Sequence, residues 1–366
     1  MSELAQFVKF LSHTNTNTHQ IFRLKLKNIE EINTLKEINS EYPQITFETN
    51  SFFHQLTELI KAKNPSNSTD KSFIEKELNT ITNDTPLELL GTFIYYPWRN
   101  TLLLVLDEED FIAVRTTRNK LKITHNEQEN LRQKTIGVVG LSVGQSVALT
   151  LAMERLCGTI KIADFDTLDL SNLNRIRSSV LHINLPKTTI AAREILELDP
   201  YLKVEVFENG LNTSNLDNFL QNLDLFVEVC DSVSVKLNSR IAAKKMKIPV
   251  VMDTNDRGMI DIERFDLEPE RPILHGLISN EEIEHVETLS PLERIDLIKK
   301  LVSFENTSER LKQSMEEIGK TISTWPQLAS SVMLGAGVCA DCCRRILLGE
   351  PVPSGRYYID PSTLIQ

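Results

Sequence analysis

The chain has 366 residues, 41% hydrophobic and 25% charged, which is enough for about two domains with a sizeable core. A net charge of −11 disfavours sequence-independent binding to a phosphate backbone, and no apolar run approaches the roughly 18 residues that span a bilayer, so neither nucleic acid nor membrane is expected as a partner. Five cysteines are too few and too scattered for a disulfide scaffold, which points to a reducing, cytoplasmic setting, and residues 1–11 show no leader-type apolar stretch.

Residues 1–100 are rich in Asn, Thr, Lys and Glu, with helix-like spacing at Phe53, Leu56, Leu59 and Ile60. Within them, 64–82 reads as a loop followed by a short amphipathic helix. A small N-terminal α+β domain is expected over 1–108, serving as an accessory or docking element or in substrate recognition, with a second domain over 109–366. Residues 102–106 and 111–114 read as two short strands separated by an acidic turn at 107–110. A polar helix follows over 124–134, its start marked by Thr124 and Glu127. From Thr135 the pattern becomes strand–helix alternation. Strands are expected at 136–139, 160–163, 204–207, 225–229 and 249–252. Helices are expected at 147–156, closing at Gly158 as a C-terminal cap, and at 187–198 and 235–246. Helices over 291–304 and 308–318 fall in a crossover insertion. A long helix at 330–348 and a strand at 356–360 close the domain. Together these predict an α/β fold: a Rossmann-like doubly wound sheet, mainly parallel, with a closing antiparallel portion.

The loop Val138-Val139-Gly140-Leu141-Ser142-Val143-Gly144-Gln145 joins the first of these strands to its helix. Such a loop presents backbone N–H groups and a helix N-terminus to a phosphate. Its glycines, Gly140 and Gly144, do not follow G-x-G-x-x-G, because Ser142 stands where the second glycine would be. Asp164 ends the second strand, where an acid can accept from ribose hydroxyls, and that role does not choose between NAD and ATP.

Residues 164–175 read Asp-Phe-Asp-Thr-Leu-Asp-Leu-Ser-Asn-Leu-Asn-Arg. This run resembles the D-x-D-x-V-x-x-S-N-L-x-R-Q signature of the ThiF/MoeB/HesA superfamily, relatives of ubiquitin-activating enzymes, with Leu168 for the usual Val and Ile176 for the usual Gln. Lys187, opening a helix after Pro186, resembles the family's phosphate-binding lysine. Cys230-Asp231-Ser-Val-Ser-Val-Lys236 resembles its C-T-D-N-x-x-x-R segment, with Asp231 at the magnesium-binding position. The resemblance covers about residues 110–362 and does not reach residues 1–100.

The resemblance implies ATP- and Mg²⁺-dependent activation of a carboxylate, the C-terminus of a small carrier protein or peptide, as an acyl-adenylate with release of pyrophosphate. On this reading Asp164 holds the ribose, Arg175 and Lys187 neutralise charge on the phosphates, Asn172 donates to a phosphate or orients Arg175, and Asp231 holds Mg²⁺. Asp166 contacts the ligand or supports the loop. Arg118, in Arg115-Thr-Thr-Arg118-Asn119, resembles an arginine that family homodimers supply across the interface. Simpler roles stay open: Asp231 as a helix cap, Lys187 as a solvated lysine, Asp253–Gly258 as a plain turn, and His275 as a structural histidine. Residues 254–338 hold no cysteine, so a thioester step on the crossover is not expected, and Cys339-Ala-Asp-Cys342-Cys343 lacks a second pair, so no zinc is expected. Two other classes compete: a nucleotide-binding partner subunit without catalysis, and an NAD-dependent oxidoreductase, in which the Ser-Asn-Leu-Asn-Arg run has no role.

Overall fold

The structure is a computed structural model and describes residues 2–12, 18–284 and 290–365. Two compact units divide the chain at Thr124/His125. The first runs α1 (Glu3–Ser12), β1 (Phe22–Leu24), α2 (Ile29–Glu41), β2 (Thr46–Glu48), α3 (Ser51–Lys63), α4 (Lys71–Thr82), α5 (Leu87–Leu90), β3 (Gly91–Tyr96), β4 (Thr101–Leu106) and α6 (Glu108–Arg115). Its four-stranded sheet has the order β1-β3-β4-β2, antiparallel except for the β2–β4 pair. Asn28 and Asp70 cap α2 and α4 by accepting from the N–H three residues on. Phe7, Leu24, Leu35, Phe52, Leu56 and Phe93 form the buried centre.

The strand expected at 111–114 is instead the body of α6. Glu108, Glu109 and Asp110 do not make a turn between strands; they occupy the first turn of the helix, where carboxylates are favoured by the unpaired N–H groups. Residues 102–106 pair with β3 instead. Phe111 and Val114 on α6 pack on the core of the first unit, and this is why the division falls after α6 rather than after residue 108.

The second unit contains α7 (His125–Arg132), β5 (Thr135–Val139), α8 (Gly144–Glu154), β6 (Thr159–Ala163), α9 (Lys187–Leu198), β7 (Lys203–Phe207), α10 (Leu216–Leu220), β8 (Leu225–Glu228), α11 (Val233–Lys245), β9 (Val250–Asp253), β10 (Met259–Glu263), α12 (Asn280–Glu284), α13 (Pro291–Leu301), α14 (Glu309–Glu317), α15 (Ala329–Leu347), β11 (Gly355–Tyr358) and α16 (Pro361–Leu364). The strands form one seven-stranded sheet, order β11-β10-β9-β8-β5-β6-β7. β9, β8, β5, β6 and β7 are mutually parallel, and β10 and β11 close the sheet antiparallel. This is the Rossmann-like sheet with an antiparallel close. The chain leaves β5 through α8 toward β6 and leaves the neighbouring β8 through α11 toward β9 on the other side, so the β5/β8 boundary is the topological switch point, where open α/β sheets bind ligands.

β10 was not expected from the sequence. Its alternating acids, Asp261 and Glu263, are both buried in ion pairs, so hydropathy alone does not reveal a strand there. Gly158 does not cap α8, which ends on Arg155 in the left-handed conformation, φ 54°. A non-glycine residue is held there because its guanidinium is buried against the Asp199 carboxylate and its carbonyl accepts from Gln128 Nε2 at 2.7 Å. Gly158 serves close approach instead: a Cβ there would lie 2.0 Å from the Arg132 carbonyl oxygen. Gly158→Ala is expected to destabilise the second unit by about 1–3 kcal/mol, read as a lower urea midpoint for that unit's transition; an unshifted midpoint would show that the backbones part at no cost.

Candidate functional site

The site is built where the turns after β5 and β8 meet. Gly140 follows β5 with φ 87°, and a Cβ there would stand 2.6 Å from Cys230 Cα and 2.7 Å from Cys230 N. Both the left-handed backbone and the contact demand glycine at this point. Gly144 opens α8 against Val138 and Val229, where a Cβ would come within 2.8 and 2.9 Å of their side chains.

Asp164, just past β6, is buried, and its Oδ2 accepts from Leu141 N at 2.6 Å and its Oδ1 from Asp166 N at 2.8 Å. Burial raises its pKa, and the two N–H donors work against that shift. Asp164 therefore ties the β5 turn to the end of β6. Asp166 is exposed and holds the buried Lys187 ammonium at 2.7 Å, while Lys187 N donates to the Asp166 carbonyl. Lys187 thus starts α9 with its ammonium fixed beside the β6 turn rather than solvated.

Asn172 is buried in the short 3-10 turn 170–174. Its Oδ1 accepts from Asp169 N at 3.1 Å and its carbonyl from Arg175 N at 3.1 Å, so it shapes the turn that carries Arg175. Arg175 spans back to the β5 turn: Nε and Nη2 donate to Ser142 Oγ at 3.2 and 3.0 Å, and Nη1 to Asn174 Oδ1 at 2.9 Å. Burial pulls the Arg175 pKa down and the facing Asp231 carboxylate works the other way. Ser142 at the second-glycine position therefore gives Arg175 a hydroxyl anchor. Gln145 is turned out of the loop, with Nε2 donating to the Arg177 carbonyl at 3.0 Å and to Glu194 Oε2 at 2.9 Å on α9. Asp231 is exposed in the turn after β8, and the cap of α11 is Ser232, whose Oγ accepts from Val235 N at 3.4 Å. Gly140, Ser142, Gly144, Asp164, Asp166, Asn172, Arg175, Lys187 and Asp231 all lie at the C-terminal edge of the parallel strands or in the turn leading to α9. Arg118 lies in the first unit, exposed in the turn after α6.

Several buried charges were not singled out from sequence. Glu228, ending β8, is fully buried and takes Lys236 Nζ at 2.9 Å and the Arg240 guanidinium. Burial alone would raise its pKa; the two cations outweigh that and hold it at about 2. Arg240 Nε also reaches Glu263 Oε2 at 2.8 Å. Asp261 takes Arg356 Nε at 2.6 Å and faces His275 Nε2 at 3.1 Å, while His275 Nδ1 accepts from Arg271 Nη2 at 2.9 Å. His275 is thus held between an acid and a guanidinium. The legible signal was Lys236 and Arg240, spaced i,i+4 on one helix and so able to meet acids on one neighbouring surface. Cys339 and Cys343 are buried in α15 and Cys342 is half-buried; among the described residues no three His, Cys, Asp or Glu side chains cluster to hold a metal. A magnesium ion asks less of the protein, one or two carboxylates with phosphate and water supplying the rest, and the exposed Asp231 carboxylate fits that demand.

The ThiF family pattern matches residues 116–359. The chain belongs to the ThiF family. It is 43% identical over 279 residues to the uncharacterised protein MT1398 of Mycobacterium tuberculosis (strain CDC 1551 / Oshkosh), covering 76% of this chain and 39% of that protein. It is 27% identical over 155 residues to the molybdopterin-synthase adenylyltransferase of Haemophilus influenzae, covering 41% of this chain and 62% of that one. The chain therefore spans less than two thirds of the length of either curated relative. The crystal structure of E. coli MccB with ATP aligns at 18% identity with a TM-score of 0.45, covering 67% of each chain. Among the described residues no helix is long and apolar enough to cross a membrane.

Asp253, ending β9, is buried with Oδ1 accepting from Asn255 N at 2.9 Å and Oδ2 packed toward Gly335 of α15. Burial lifts its pKa from 3.8 to about 7 against the one N–H donor. The folded state thus favours the protonated acid. The stability this acid contributes is complete below about pH 4, falls as pH rises toward 7, and is lost above the folded pKa. Asp253→Asn should flatten that slope, leaving the variant more stable than the parent at pH 8, by up to roughly 4 kcal/mol, in urea melts run from pH 4 to 8. Parallel curves for the two proteins would show that Asp253 does not titrate in this window.

Proposed function

We propose that this chain is an ATP-dependent adenylyltransferase that activates a carboxylate as an acyl-adenylate. The observation that carries the reading is the Ser142–Arg175–Asp231 arrangement over the β5/β8 switch point, with Lys187 fixed beside it. In the reaction a carboxylate oxygen attacks the α-phosphorus of ATP. The bond to the bridging oxygen of pyrophosphate breaks, and its electron pair leaves with pyrophosphate. Arg175 presents planar donors to the equatorial oxygens on which charge accumulates. Lys187 exchanges part of its contact with Asp166 for a phosphate oxygen. Gly140 and Gly144 let backbone N–H groups approach the phosphates. Asp164 orients the β5 turn and offers its remaining lone pairs to the ribose. Asp231 would hold Mg²⁺, which when bound would supply charge screening at the phosphates.

The substrate class we assign is the C-terminal carboxylate of a small carrier protein or peptide, with the first unit, Met1–Thr124, serving recognition. The active form in this reading is a cytoplasmic homodimer, with Arg118 acting across the interface. The absence of cysteine from 254–338 supports adenylation without a thioester on the crossover. The altered glycine loop does not favour an inactive partner, because Gln145 is turned toward α9 and Ser142 anchors Arg175. ATP–pyrophosphate exchange with candidate C-terminal peptides tests the proposal. Exchange should fall about 100-fold or more in Arg175→Ala while far-UV circular dichroism is retained. Parent-level exchange in that variant would move the site elsewhere.

A further inference from the structure

Asp231 lies in an exposed turn, and a turn of that kind is not rigid by itself. The chain is tied down one and three residues earlier, at Cys230 and Glu228. Glu228 Oε1 accepts from Cys230 N at 2.9 Å and from Cys230 Sγ at 3.1 Å, so one carboxylate oxygen grips the turn from below. Lys236 Nζ grips the same carboxylate at 2.9 and 3.1 Å, and Arg240 takes Oε2. Lys236 and Arg240 also lie against Met252 Sδ at 3.4 Å on β9. Arg240 continues to Glu263, whose Oε1 accepts from Leu274 N at 2.5 Å, and Leu274 is held in the left-handed region at φ 50°. Glu228, Arg240 and Glu263 have no solvent exposure. A buried carboxylate between two cations has a single low-energy arrangement, because displacing any member strands a charge away from water.

We propose that Glu228 is a positioning residue, clamped by Lys236 and Arg240, that fixes the Cys230–Asp231 turn against Gly140, and that Arg240 and Glu263 carry the same constraint to Leu274 at the entry to the crossover. The consequence for metal rests on the reading of Asp231 given above; the clamp on the turn does not. Lys236 touches no reacting atom in this account, and its effect on Asp231 passes through Glu228. Outer partners of this kind set metal affinity by factors of about 10–100.

The test uses the full chain with Lys236→Met, Lys236→Arg and Glu228→Asp. The last keeps every charge and withdraws the carboxylate by one methylene, so it serves where Lys236→Met fails to fold. Amide hydrogen exchange of the peptide covering 228–233 is measured without nucleotide. Mn²⁺ affinity is measured by paramagnetic resonance with a non-hydrolysable ATP analogue. Lys236→Met and Glu228→Asp should speed exchange in 228–233 about tenfold with 159–163 unchanged, and weaken Mn²⁺ binding about tenfold or more. Lys236→Arg should restore both. Parent-like exchange at 228–233 in folded variants, or failure of Arg to rescue, overturns the proposal. Predicted exchange changes in a chain that binds no Mn²⁺ in any variant uphold the clamp and refute the metal role of Asp231.

Discussion

The second unit depends on one close approach, between the backbone of Gly140 after β5 and the backbone of Cys230 after β8. Two turns that leave adjacent parallel strands in opposite directions normally open a crevice. Here they touch at its base, because residue 140 carries no Cβ and takes a φ of 87°. From that contact the rest of the edge follows. Leu141 N reaches Asp164, Ser142 Oγ meets Arg175, and the exposed Asp231 faces the same guanidinium. A side chain at 140 would separate these groups before any ligand arrived.

Charge is handled differently above and below that contact. Above it, Arg175 is half-buried and Asp231 exposed, so both stay within reach of water and of the phosphate and metal proposed for them. Below it, Glu228, Arg240 and Glu263 are locked in a dry ion-pair network. Such a network is weak evidence for stability, since well-packed apolar groups do as well. Its value lies in geometry, because it admits one arrangement of the turn that carries Asp231. The acidic bulk charge of the chain is compatible with the proposed polyphosphate ligand, because in that reading Arg175 and Lys187 meet the phosphates and the net balance does not.

The parallel strands were legible because each is short, rich in β-branched or other apolar residues and ends at a glycine, an acid or a cysteine, and the run 164–175 is specific enough to place the edge. What was not legible failed for identifiable reasons. α6 begins with three acids that look like a turn until the helix N-terminus is recognised as their counter-charge. β10 alternates apolar residues with acids, which suggests a half-exposed strand at most, yet all five residues are buried because the acids meet Arg240 and Arg356. α8 ends on Arg155 rather than on glycine because a buried ion pair compensates the left-handed backbone. The sequence motifs grouped Arg175, Lys187 and Asp231, and the structure sets all three at one edge of the sheet. The Glu228 clamp could not, since its partners sit 8 and 12 residues away on a helix and gain meaning only once that helix is laid on the sheet.

A structure of the full chain with ATP and Mg²⁺ tests the central claim most directly. The account predicts the α-phosphate between Arg175 and Lys187, the ribose at Asp164 and the metal on Asp231, with the Gly140–Cys230 contact unchanged. Nucleotide bound away from the β5/β8 boundary, or bound there with Arg175 still on Ser142 and the metal remote from Asp231, would contradict it.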